Sequence, residues 1–161
     1  MNKSLIICIL PLFLLGQNIK GPVEYNESVA RQKAKLINKI FLSDTIHIVV
    51  TRSGCFNHNV VYDYLLTKKG SHYVGTYSVT KLSNPPETSH QQVLKMGQST
   101  LQSIHELFLY GLKIQEGSCT TKKKFTLSSP NNTVFFNDDR CDEIDGILEK
   151  LVKIISDKNI N

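Results

Sequence analysis

The sequence predicts an α+β domain: an antiparallel sheet of about five strands, helices packed on one face, in the order helix-βββ-helix-ββ-helix. Three observations lead there. Apolar residues recur at helical spacing in segments that begin near Asn26, Thr88 and Asp142. Between those segments apolar and polar residues alternate, as half-buried strands require. Lys68-Lys69-Gly70-Ser71 and Ser129-Pro130-Asn131-Asn132 carry the turn chemistry of hairpins.

At 161 residues the chain has the length of one domain. Its 40% hydrophobic and 20% charged residues make a globular composition, which excludes an intrinsically disordered chain. Four cysteines are too few for a disulfide-built scaffold, and no internal repeat suggests a solenoid. Residues 1–16 have the form of a signal peptide, with Lys3 as the positive start, an apolar run from Leu5 to Leu15, and Gly16-Gln17 as the favoured cleavage point. A membrane-spanning helix needs ~20 apolar residues, about twice this run, so no stable membrane anchor is expected. The chain is expected to be exported, to a periplasmic or extracellular space. Residues 17–25, broken by Gly21-Pro22, read as a flexible leader, and residues 26–157 as the single α+β domain.

Within that domain Asn26 or Ser28 caps a first helix. Val29, Leu36, Ile37, Ile40 and Phe41 form its apolar stripe, opposite Lys33, Lys35 and Lys39. Ile46, Ile48 and Val50 then alternate with His47, Val49 and Thr51 in a first strand, and Arg52 to Asn59 form a loop. Val60, Tyr62, Tyr64 and Leu66 share one side of a second strand; Tyr73, Tyr77 and Val79 share one face of a third. Asn84-Pro85-Pro86 breaks the sheet. A long helix is expected from Thr88 or Ser89 to Tyr110, with Val93, Leu94, Leu101, Ile104, His105 and Phe108 on its stripe. Gly97 would lie inside it for close packing on the sheet, and Gly111 would stop it. Phe125 and Leu127, then Val134 and Phe136, form a second hairpin. The final helix is expected from Asp142 to Ser156, burying Ile144, Ile147, Leu148, Leu151 and Ile155.

The second hairpin turns between Pro130 and Asn131, so directly opposed residues have numbers summing to about 261. Cys119 and Cys141 nearly satisfy this relation, which would put their Cα atoms about 5 Å apart, and a disulfide between them is expected in an oxidising compartment. Cys55 is then the leftover thiol, beside Gly54 and near Arg52 and His58.

Cleavage after residue 16 removes Lys3 alone among the charges, which leaves 145 residues and a net charge of +4. The one basic cluster, Lys122-Lys123-Lys124, reads as a solvated strand end, so nucleic acid is not expected as a partner. A charge of this size attracts acidic surfaces or an acidic partner protein. The chain lacks a phosphate-cradling glycine loop, a nucleophile elbow and a zinc-protease helix motif. Cys55 and His58 have a spacing that zinc sites use, but no second such pair accompanies them, so neither a metal nor a cofactor is expected. The leading expectation is therefore a small exported non-enzymatic protein that binds another protein, as an inhibitor or immunity-like factor. Arg52, Tyr62, Tyr64, Tyr73 and Tyr77 would form its aromatic binding face, because Tyr and Arg are enriched among interface anchors. The same tyrosines packed beneath the helices is the competing outcome. One alternative is a thiol-dependent hydrolase or redox enzyme, with Cys55 as nucleophile, His58 as its base and His72 or Asp63 orienting that base. Another is a structural component of the cell envelope.

Overall fold

A computed structural model of the chain describes residues 26–54, 59–83, 85–112, 121–138 and 146–158. Helix α1 (Glu27–Phe41) starts on Asn26, whose Oδ1 accepts hydrogen bonds from the Ser28 and Val29 amides at 3.1 and 3.3 Å. There follow β1 (Thr45–Ser53), β2 (Val60–Lys69), β3 (His72–Lys81), β4 (Glu87–Gly97), α2 (Gln98–Gly111), β5 (Lys122–Ser129), β6 (Asn132–Asp138) and α3 (Ile147–Lys158). The described strands form one six-stranded sheet in the order β4-β3-β2-β1-β5-β6, with every neighbouring pair antiparallel. The molecule is thus α+β with an antiparallel sheet.

Turn chemistry sets the registers of the two tight hairpins. Lys69 lies opposite His72, and Gly70 takes φ +64° in the turn between them. In the second hairpin Phe125 faces Phe136 and Lys123 faces Asp138, which is the 261 relation read from the turn. Gly75 on β3 has a different reason to be glycine: a Cβ there would overlap the Leu65 carbonyl oxygen and lie 2.9 Å from the Leu66 Cα. The β2 backbone occupies that space, so no side chain fits without displacing a strand.

Three expectations are corrected. The sheet has six described strands, not about five, because residues 87–97 are a strand and not the first half of a long helix. In β4 the buried Leu94 and Met96 alternate with the exposed Val93 and Lys95, and β3 supplies the backbone partners from Lys81↔Glu87 to His72↔Gly97. Gly97 is accordingly not a packing device inside a helix. It caps α2, and nothing lies within 4 Å of where its Cβ would be. The last helix is described from Ile147, with Gly146 just outside it, and the expected start at Asp142 and the expected buried Ile144 lie outside the described residues. Finally, Lys123 is not part of a solvated strand end. It is 1% exposed, because alternation turns it inward with Phe125 and Leu127 while Lys122 and Lys124 stay exposed.

One face of the sheet carries the core. Ile46, Ile48, Val50, Tyr64, Leu66, Leu94, Met96, Phe125, Leu127, Val134 and Phe136 form one buried cluster with residues of all three helices, among them Ile37 and Ile40 of α1, Ile104 and Phe108 of α2, and Leu148 and Leu151 of α3. At its centre the Phe125 and Phe136 rings stack at 4.9 Å, and Phe108 meets both edge-on at 6.1 and 5.6 Å.

Candidate functional site

The residues expected to bind a partner come together, but on the helix side of the sheet. Arg52, Tyr62, Tyr64, Tyr73 and Tyr77 all belong to the inward-facing set, as the pairs Val50↔Tyr62, Ile48↔Tyr64 and Tyr64↔Tyr77 show. Tyr64 is 0% and Tyr73 3% exposed, so neither is a solvent-facing anchor. Tyr62 and Tyr77 are half-buried and pack against the core, and Arg52 is half-buried beside Lys123 in the register. The exposed aromatic face read from the sequence is thus a packed one. Its tyrosines alternate inward on strands whose other side is built from Thr, Ser, Val and Asp.

Tyr64, Tyr73 and Tyr77 are held as neutral phenols. Tyr64 and Tyr77 stack at 4.6 Å. Burial, and then the neighbouring phenols, pushes the Tyr64 pKa far above the usual range; burial also raises those of Tyr73 and Tyr77. None can serve as a base near neutral pH. The Tyr73 hydroxyl donates to the Ser43 carbonyl at 3.2 Å. The Tyr64 hydroxyl has the Tyr77 phenol as a hydrogen-bonding neighbour, in a contact that is not well formed.

Beside these phenols, at the end of the sheet where β1 and β6 finish, lies a buried ion network that the sequence did not reveal as one. Lys123 Nζ donates to Glu149 Oε2 at 2.9 Å, and the buried Asp138 accepts the Ile147 amide at 3.0 Å, satisfying the first turn of α3. Strand parity with Phe125 was the signal for Lys123; for Asp138 it was parity with Phe136. This network fastens α3 to β5 and β6.

Of the thiol-enzyme candidates, Cys55 and His58 lie outside the described residues, as do Cys119 and Cys141. The two groups proposed to orient His58 are committed elsewhere. Asp63 is bonded to His47 at 2.9 Å, and His72 opens β3 beside the β2–β3 turn, about 30 Å along the strand from the end that faces Val60. Among the described residues no group of three or more His, Cys, Asp and Glu side chains could hold a metal ion, and no helix is long and apolar enough to cross a membrane.

The opposite face of the sheet is the surface the sequence reading did not single out. No described element packs on it. Across it run rows such as Thr133–Ser128–His47–Leu65–Thr76–Val93 and Phe135–Thr126–Val49–Asp63–Ser78. Val93 is 77%, Phe135 58% and Leu65 43% exposed. Lys69, Lys95, Lys122 and Lys124 stand around its margin, and its one described carboxylate, Asp63, is paired with His47. No family model matches the chain, and no curated protein matches it either.

Proposed function

We propose that this chain is a small exported, non-enzymatic protein that binds another protein, as an inhibitor or immunity-like factor, through the open face of its sheet. The observation that supports this reading is the size and chemistry of that face. Six strands spaced about 4.8 Å apart and seven to eleven residues long span roughly 24 by 30 Å, some 700 Å². A stable interface buries about 800 Å² per partner. Short Thr and Ser side chains keep the surface flat and cost little entropy to order, while Leu65, Val93 and Phe135 supply apolar anchors. Four marginal lysines against one paired carboxylate favour an acidic partner.

A Cys119–Cys141 bridge belongs to the same proposal. The register holds as far as Lys123↔Asp138, and in the sequence the cysteines lie four residues before Lys123 and three after Asp138, outside the described residues. Alkylation of the secreted protein without reductant is expected to label Cys55 alone among residues 17–161; labelling of all three thiols would remove the bridge.

The binding reading is tested by crosslinked capture from the exported fraction of the producing cells. A Val93→Glu/Phe135→Glu variant, checked for folding by circular dichroism, is expected to lose a partner that the wild type captures. A Tyr62→Ala variant is expected to keep it. The reverse pattern would move the binding surface to the tyrosine side and discard the open face.

A further inference from the structure

The described sheet ends on one side in β4 and on the other in β6, and the two edges are built differently. An edge strand offers unpaired amides and carbonyls to any other strand, so edges are commonly protected by charged side chains or a bulge. β4 has both: Glu87 and Lys95 are exposed on it, and its register with β3 shifts between Val79 and Thr80. β6 has neither. Thr133, Val134, Phe135 and Phe136 at its centre favour a strand, and its register with β5 runs unbroken from Ser129↔Asn132 to Lys123↔Asp138. Its one charged side chain, Asp138, is buried.

The hairpin turn fixes which backbone groups of β6 face outward. Ser129 and Asn132 flank a two-residue turn and exchange both hydrogen bonds, so Val134, Phe136 and Asp138 also bond to β5. The amides and carbonyls of Thr133, Phe135 and Asn137 point away from β5, and no described strand meets them. The side chains of the same three residues are exposed on the open face. We propose that β6 pairs antiparallel with β6 of a second copy, about a two-fold axis at Phe135. In that register Phe135 lies opposite itself and Thr133 opposite Asn137, and each facing pair exchanges two hydrogen bonds. A slip of one residue would set outward-pointing groups against inward-pointing ones, so the alternation excludes it. No like charges meet, and the two Phe135 rings become cross-strand neighbours, a favourable aromatic pair. The dimer closes on itself: the protected β4 strands become its two outer edges, and the unprotected β6 strands become interior. An interface one strand wide is small, so a dimer in the micromolar range is expected. The pairing makes the two open faces continuous and does not depend on what they bind.

Analytical ultracentrifugation of the purified protein, with free thiols alkylated so that a chance disulfide does not count, is expected to show a monomer–dimer equilibrium. Amide exchange reads the register. Protection of Thr133, Phe135 and Asn137 should rise with protein concentration, while Val134 and Phe136 stay protected throughout. Phe135→Lys sets two ammonium groups face to face at the axis and is expected to weaken the dimer about tenfold. Thr133→Pro removes an outward amide that the fold does not use and should act likewise, a second variant should the first fail to fold. Phe135→Cys, left unalkylated, is expected to give a reducible dimer joined at that position, since facing Cα atoms about 5.5 Å apart lie within disulfide range. Val93→Glu, on the β4 edge, should leave the dimer intact, which separates self-association from partner capture. The proposal is overturned by a monomer at every concentration up to about 0.5 mM, by a dimer that Phe135→Lys and Thr133→Pro leave unchanged, or by concentration-dependent protection on the β4 edge in place of β6.

Discussion

Two side-chain pairs of the same length lie on opposite faces of one sheet. Lys123–Glu149 on the helix side and His47–Asp63 on the open side both measure 2.9 Å, but the side chains of the first are 1% and 25% exposed and those of the second 40% and 43%. Geometry does not separate them; solvent does. On the open face water stabilises either member alone, so the pair is worth about 0–1 kcal/mol. On the inner face Lys123 has lost its water, and Glu149 is part of what makes its burial tolerable. The inner face is specified by partners that must be present, whereas the outer face tolerates change and is available for contacts with other molecules.

Breaking each pair in turn gives the largest expected effect. Glu149→Ala should destabilise the fold by about 3 kcal/mol, because it leaves a buried ammonium without its carboxylate. Asp63→Ala should cost about 0.5 kcal/mol. Replacing both inner partners, Lys123→Met with Glu149→Leu, should recover only part of the loss, since the buried Asp138 opposite Lys123 then loses its neighbouring cation. Urea midpoints decide it: similar losses for the two alanine variants would show that burial is not what distinguishes the faces.

A smaller effect of opposite sign is expected at Tyr64. Its hydroxyl is fully buried and makes no well-formed hydrogen bond among the described residues, and an orphaned buried polar group costs about 1–3 kcal/mol. Tyr64→Phe should therefore stabilise the fold by about 1 kcal/mol while keeping the stacked contact with Tyr77. Thr76→Val on the open face, a comparable loss of one hydroxyl, should stay within about 0.5 kcal/mol. If Tyr64→Phe instead destabilises the protein, that hydroxyl has a partner that matters to the fold.

How much of this was legible in the sequence depends on which physics each residue obeys. Local chemistry was readable: the Asn26 cap, the Gly70 turn and the Ser129–Asn132 hairpin follow from neighbours in the chain, and so does the register that opposes Phe125 to Phe136. Strand β4 was not, because its alternation is confined to Val93 through Met96. The same residues continue at helical spacing into Leu101 and Ile104, and only pairing with β3 decides between the two. Gly97 marks the boundary, and weighing it as a breaker would have found the strand. The tyrosines show the same limit in the site. Alternation correctly put Tyr62 and Tyr64 on one side, but which side the helices cover is a tertiary fact, and here they cover the tyrosines. Lys123, read as one of three solvated lysines, needed only the parity of Phe125 and Leu127 to be turned inward.

The smallest expected effect concerns pH and tests the helix-covered side from its margin. His105 on α2 is within hydrogen-bonding distance of Asn38 Oδ1 on α1, at 2.8 Å, and its ring lies 4.8 Å from that of Phe41. Burial lowers its pKa below the ordinary 6.5, with Glu106 opposing the shift. The unfolded chain therefore takes up this proton at a higher pH than the folded one. Between the two pKa values the unfolded state holds more protons, so stability rises with pH. The contribution of His105 is complete above about pH 6.5 and is lost as the pH falls through that value toward the folded pKa. His105→Gln, which can still bond Asn38 but cannot titrate, should reduce the drop in urea midpoint between about pH 7.5 and about pH 5.5. The remaining histidines contribute equally to both proteins and cancel in the comparison. An unchanged drop would mean that the α1–α2 contact admits enough water to hydrate a charged imidazole, and the dry, partner-dependent side of the molecule would then end at Phe41 rather than include His105.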